Sequence, residues 1–150
     1  MITFPGPPNL GSGGNTFMRS PIMKVLLLIL GGAIGTGCRF GLSSWVQKTW
    51  LFSFPFGILS VNLLGSFFIG LCWSVAETFH FSLNTRAFLF TGFFGGFTTF
   101  SSFALDTMVL MKTGEYKLAF LNIAATNLLG LAAVFLGIVW GKNLLSLLKA

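Results

Sequence analysis

Long apolar runs separated by short polar stretches follow one another along the chain from about residue 22 onward. Four of these runs reach the roughly 20 residues that a membrane-spanning helix needs. They predict helices over residues 22–46, 56–79, 85–111 and 116–146. Backbone groups in lipid must be paired within their own segment, so a helix is the structure expected for each run.

The first 21 residues have a different pattern. Residues 1–21 are rich in Gly, Pro, Ser and Asn and lack the apolar side chains that build a core. We expect a disordered leader here, followed by one four-helix transmembrane domain over residues 22–150. A cleaved signal peptide is the alternative, because Lys24 precedes an apolar core, but the apolar pattern resumes after Arg39.

Composition agrees with the pattern. The 150 residues are 54% hydrophobic and only 8% charged, whereas a soluble domain carries about 25% charged residues. The chain is therefore predicted to be an integral, all-α membrane protein. Nine Lys and Arg residues face three acids. This mild excess suits anionic headgroups or the passage of an anion, and it gives little support to nucleic-acid binding.

The basic residues give little information about orientation. Four spans put both termini on one side, with five basic residues, against three on the other side. Positive residues in short loops set the orientation of a membrane protein. So small a difference permits insertion in both directions, and two oppositely inserted copies can form an antiparallel dimer.

The centre of the third run is poor helix material. Gly95 and Gly96 stand there, followed by Thr98 and Thr99, and each glycine costs about 1 kcal/mol relative to alanine in a helix. We expect the third helix to break at the glycine pair. Carbonyls freed at membrane depth must be buried in protein or face an ion or water, and a small hard cation binds such oxygens. A continuous, glycine-softened helix packed on a neighbour is the alternative.

Further polar residues lie on the faces of the spans. Asn62 and Ser66 are one turn apart in the second run, and Asn122 and Thr126 are one turn apart in the fourth. These side chains either form hydrogen bonds between helices or line a polar track.

Phe100 and Phe103 share one face of the third run. The edge of a phenyl ring is positive and can receive an anion, and the neighbouring hydroxyl of Ser102 can donate to one. Ordinary packing is the alternative for the rings.

Two charged side chains lie inside predicted spans. Arg39 is either an anchor that reaches to the headgroups or a cation that lines an aqueous vestibule. Asp106 is the only acid in the third run. It lies either at a pore mouth or in an ion pair with Arg39, and the sequence leaves both alternatives open.

Three segments together resemble the successive signatures of the CrcB/Fluc fluoride channels: "GGAIGTGCRF", "FPFGILSVNLLGSFFIG" and "TGFFGGFTTFSSFALD". The resemblance covers about residues 23–145. It implies an antiparallel dual-topology dimer in the bacterial inner membrane, with two fluoride pores and a structural sodium ion at the dimer centre. The backbone carbonyls of Gly95 and Thr98 are the implied sodium ligands.

The resemblance also implies which residues form the fluoride pathway. They are Asn62, Phe100, Phe103, Arg39, Asp106, Asn122 and Thr126. The chain departs from the family pattern where Ile58 replaces a threonine, Asn122 a tyrosine and Gly130 a serine. These departures leave the polar track of the fourth helix thinner.

Two other functions compete with a fluoride channel. A drug exporter of the small multidrug resistance kind needs a carboxylate in its first helix, and the first run has none. A non-conducting membrane assembly subunit would use the polar stripes only to hold helices together. An enzyme is not expected, because the sequence offers no nucleophile with a base and no metal cluster.

Overall fold

The computed structural model describes residues 21–49 and 54–147. The predicted leader lies outside the described residues except for Pro21. The described chain contains four helical spans that are long and apolar enough to cross a membrane. They are Pro21–Thr49 (α1), Phe56–Thr78 (α2), Leu83–Lys112 and Tyr116–Leu147 (α5). The four predicted helices are therefore confirmed, with ends shifted by a few residues.

The third span consists of two helices separated by two extended residues. Its first half, α3 (residues 83–97), includes a wider π-helical stretch at Ala87–Phe94. The second half, α4, spans Phe100–Lys112. Between them, Thr98 and Thr99 have extended backbone angles (φ −79°, ψ 157° and φ −149°, ψ 118°). The predicted break in the third helix is confirmed.

The predicted position of that break is wrong. Gly95 and Gly96 remain helical, and the chain leaves the helix only at Thr98. A glycine lowers helix propensity, but it also lets two backbones approach closely, which is its use here: a Cβ on Gly96 would lie 2.6 Å from the Gly32 carbonyl oxygen. The extended conformation falls instead on two β-branched threonines, which prefer it.

Small residues bring the spans together in two pairs. α1 packs on α3, where a side chain at Gly31 would meet the carbonyl oxygen of Phe88 at 2.5 Å. α2 packs on α5, where a Cβ on Gly141 would lie 2.8 Å from Cβ of Ser74. Such close contact is the usual role of small residues between membrane helices, where van der Waals packing replaces the hydrophobic effect.

We predict that Gly35→Ala destabilises the protein, because a Cβ there would overlap the Phe93 carbonyl oxygen of α3. Overpacking of this kind costs about 1–3 kcal/mol. Gly37→Ala is the matched control, since no atom lies within 4 Å of a Cβ at that position of the same helix. Thermal unfolding in detergent should show a lower midpoint for Gly35→Ala only. Equal midpoints for the two variants would contradict the packing assigned to α1 and α3.

Candidate functional site

The interruption between α3 and α4 is held by one side chain of α2. The Thr99 N–H donates to Asn62 Oδ1 at 2.8 Å, and Asn62 Nδ2 donates to the Thr99 carbonyl oxygen at 3.1 Å. The amide of Asn62 thus pairs with the peptide groups of Thr99 as a neighbouring β-strand would. This pairing satisfies both peptide groups of the extended residue Thr99 within the third span, where unpaired backbone groups are costly.

Thr99 also begins the second half of the span. Its Oγ1 accepts a hydrogen bond from the Ser102 N–H at 3.2 Å and donates to Ser102 Oγ at 3.1 Å. Threonine is a favoured residue at this N-cap position. Ser102, whose hydroxyl was predicted to donate to an anion, therefore lies in the cap of α4, next to the break.

The carbonyls of Gly95 and Thr98 are among those that lose their helical partners at the break. In a continuous helix the Gly95 carbonyl would accept from the Thr99 N–H, which donates to Asn62 instead. The Thr98 carbonyl would accept from the Ser102 N–H, which donates to Thr99 Oγ1. Gly95 and Thr98 are the two predicted metal ligands. Their oxygens are chemically suited to a small hard cation, and Gly95 lies on the exposed surface of the protomer.

A groove of about 300 Å³ adjoins the break. α2, α4 and α5 all contribute side chains to it, and none of the side chains that line it is charged. The lining residues are Asn62, Ser66, Ile69, Thr98, Thr99, Phe100, Phe103 and Thr126. The structure thus brings together four of the predicted pathway residues, namely Asn62, Phe100, Phe103 and Thr126.

The two phenylalanines form one aromatic wall of the groove. Their ring centroids are 5.4 Å apart and their planes are inclined by 58°. Phe103 is buried (6% exposed), whereas Phe100 is 76% exposed. A large apolar side chain this exposed at the edge of a groove is available to a second polypeptide or to lipid.

Thr126 provides an unpaired donor in the groove. Its Oγ1 is buried and has no hydrogen-bond partner among the described residues. It lies in a π-helical turn of α5, Ala125–Leu129. Such turns are uncommon and occur frequently at functional sites. A buried hydroxyl without a partner is costly, so its retention favours a ligand that accepts hydrogen bonds.

Asn122 lies one turn away from Thr126 but does not line the groove. It is almost fully buried and donates from Nδ2 to Thr107 Oγ1 at 2.9 Å. Thr107 in turn donates to the carbonyl oxygen of Phe103 at 2.8 Å. Asn122 therefore connects α5 to the helical turn that carries Phe103.

The two predicted charged residues lie apart from the groove. Asp106 borders a second cavity of about 360 Å³, together with Ser43, Gln47 and Gly57 of α1 and α2. Arg39 is half-buried on α1, one turn before Ser43. Within the described part of the chain, no ion pair joins Arg39 to Asp106.

Sequence reasoning missed the roles of Thr99 and Thr107. Thr99 could have been identified as a helix N-cap, since a threonine that precedes a new helix is a recognised start signal. Thr107 carries no such signal, because its partnership with Asn122 depends on how α4 and α5 meet.

Comparison with known proteins identifies relatives over most of the chain. The family described as "CrcB-like protein, Camphor Resistance (CrcB)" matches residues 26–138. A Parabacteroides distasonis protein named "Fluoride-specific ion channel FluC" is 70% identical over 128 residues, which are 85% of this chain and 100% of that protein. Proteins of the same name from Hydrogenovibrio crunogenus and Desulfotalea psychrophila are each 44% identical, over 83% and 78% of this chain and 96% and 91% of their own lengths.

The family match spans most of the sequence, and these relatives are covered nearly end to end. The resemblance seen in the three sequence signatures is thereby confirmed. This chain belongs to the CrcB family.

Proposed function

We propose that this chain forms a fluoride-specific channel in the bacterial inner membrane, as the names of its relatives suggest. The observation that supports it most is the uncharged groove beside the helix break, which is lined by two phenylalanines and by Thr126, whose buried hydroxyl has no partner among the described residues. Fluoride is small and is a strong hydrogen-bond acceptor. A narrow pore must replace its water shell with donors and with positive ring edges.

The groove has a surplus of donors over acceptors. Asn62 Oδ1 already accepts from Thr99, while one of the two Nδ2 protons is left after the bond to the Thr99 carbonyl. The Thr126 hydroxyl is unpaired as well. These groups favour an anion over a cation. Transport is passive, and the membrane potential supplies about 2.3 kcal/mol per charge for each 100 mV.

The proposed functional unit is an antiparallel homodimer with a pore in each half. The exposed Phe100 and the exposed Gly95 support a second copy at this face. Two copies that meet there would bring four carbonyl oxygens together, from Gly95 and Thr98 of each. Sodium bound to these oxygens would supply a fixed positive charge at the dimer centre.

The exporter alternative has no support in α1, which contains no carboxylate over its length. Arg39 and Asp106 remain proposed members of the fluoride pathway, where they would line the approaches to the groove. Ser102 is proposed to act on the pathway from the cap of α4. Asn122 of α5 is proposed to act through Thr107, which contacts the helical turn that carries Phe103.

We predict that Phe100→Ile and Phe103→Ile each lower fluoride efflux from liposomes at least about tenfold, the effect of about 1.4 kcal/mol of lost stabilisation. Isoleucine keeps the apolar volume but has no positive ring edge. Phe135→Ile is the control, because Phe135 is an exposed phenylalanine of α5 that is not among the residues lining the groove. Efflux equal to that of the unmodified protein in both groove variants would remove the rings from the pathway.

We expect Asn62→Asp to stop conduction. The carboxylate would repel the anion, and it would face the Thr99 carbonyl with an oxygen in place of the Nδ2 donor. Asn84→Asp places the same charge outside the groove, in the short helical segment Leu83–Arg86, and should conduct normally. The measurement is fluoride efflux from liposomes, with dimer formation checked by size exclusion. A normally conducting Asn62→Asp would exclude Asn62 from the pathway.

Replacement of sodium by a large organic cation on both sides of the membrane should abolish fluoride efflux. The reason is that carbonyl oxygens such as those of Gly95 and Thr98 coordinate a small hard cation, and a large organic cation cannot take its place. Return of sodium should restore efflux in the same liposomes. Undiminished efflux without sodium would contradict the central ion while leaving the fluoride channel itself intact.

A further inference from the structure

Ser66 shares one feature with Thr126: its hydroxyl also has no hydrogen-bond partner among the described residues. It lies on α2 one turn after Asn62 and contributes to the same groove. Many hydroxyls in these helices donate back to a carbonyl of the preceding turn, as Thr98 does to Phe94 at 2.9 Å and Thr107 to Phe103 at 2.8 Å. Within the described residues the Ser66 hydroxyl makes no such bond, nor any other hydrogen bond.

Ser66 Oγ lies beside Gly130 of α5. A Cβ added to Gly130 would have Ser66 Oγ as its nearest atom, at 3.7 Å. Gly130 follows Thr126 by one turn on the same helix face. The Ser66 hydroxyl therefore lies against α5, and the missing side chain at Gly130 leaves space beside it.

We infer that Ser66 is a fluoride-binding residue, which forms with Thr126 a pair of hydroxyl donors contributed by two different helices. This inference rests on the proposed channel function and adds a second binding position to the groove, one turn beyond Asn62. Ile69 is the next lining residue along α2 and offers no donor. An ion that leaves the amide of Asn62 thus meets these two hydroxyls before the groove becomes apolar on this side.

The test is fluoride efflux from liposomes that contain Ser66→Ala. We expect a decrease of about tenfold or more, the effect of losing one hydrogen bond to an ion. Ser74→Ala is the matched control on the same helix: it also removes a hydroxyl, but one that binds the Ile138 carbonyl at 3.0 Å outside the groove. Its efflux should equal that of the unmodified protein.

The second variant tests the hydroxyl itself. Because a Cβ at position 130 fits beside Ser66 Oγ in ordinary van der Waals contact, Gly130→Ser can place a hydroxyl near the same point from α5. The double variant S66A/G130S should recover most of the efflux that S66A loses. If S66A does not form the dimer, Ser66→Cys replaces it in the efflux comparison. Cysteine has nearly the same shape as serine, but its thiol is a weak donor.

The outcomes separate the two proposals. No fluoride efflux from the unmodified protein would contradict the channel function. Normal efflux from S66A in a conducting background would overturn the role of Ser66 alone. The role would also be overturned if Ser66→Thr, which keeps a hydroxyl, lost as much efflux as S66A and if G130S did not restore the efflux that S66A loses. The hydroxyl would then not be the group on which efflux depends.

Discussion

The pairing of Asn62 with the backbone of Thr99 is the interaction on which the site depends. An extended peptide in the middle of a membrane span leaves a donor and an acceptor without helical partners, and each unsatisfied group in hydrocarbon costs several kcal/mol. One amide on α2 satisfies both groups of Thr99. This pairing fixes the end of α3 and the start of α4, where the carbonyls of Gly95 and Thr98 lose their helical partners.

Packing by small residues makes that arrangement possible. α1 holds α3 through close backbone contact, and α2 holds α5 in the same manner. Gly65 of α2 extends this to the break itself, since a side chain there would overlap the Cγ2 methyl of Thr98. The amide of Asn62 can therefore reach Thr99 only because its own helix lies this close to the break. The groove forms beside that contact, and side chains of α2, α4 and α5 line it.

Much of this fold follows from the sequence. Length and hydropathy gave the four spans, and poor helix residues in the third run indicated a break. Its position was misjudged because glycine propensity was weighed without the tertiary contacts that keep Gly96 helical beside Gly32. Groove membership was predictable for Asn62, Phe100, Phe103 and Thr126 from motif and spacing. The burial of Asn122 against Thr107 was not, because no local pattern specifies which neighbouring helix a polar side chain will meet.

The groove contains dipoles but no side chain with a net charge. A cationic side chain buried at the same place would attract an anion strongly at low dielectric and would hold it for a long time. Hydroxyls, an amide and ring edges divide the attraction into small portions spread along the wall. Along the proposed pathway such wells would be shallow, so an ion would exchange one set of partners for the next with a low barrier and would stay only briefly at any one position.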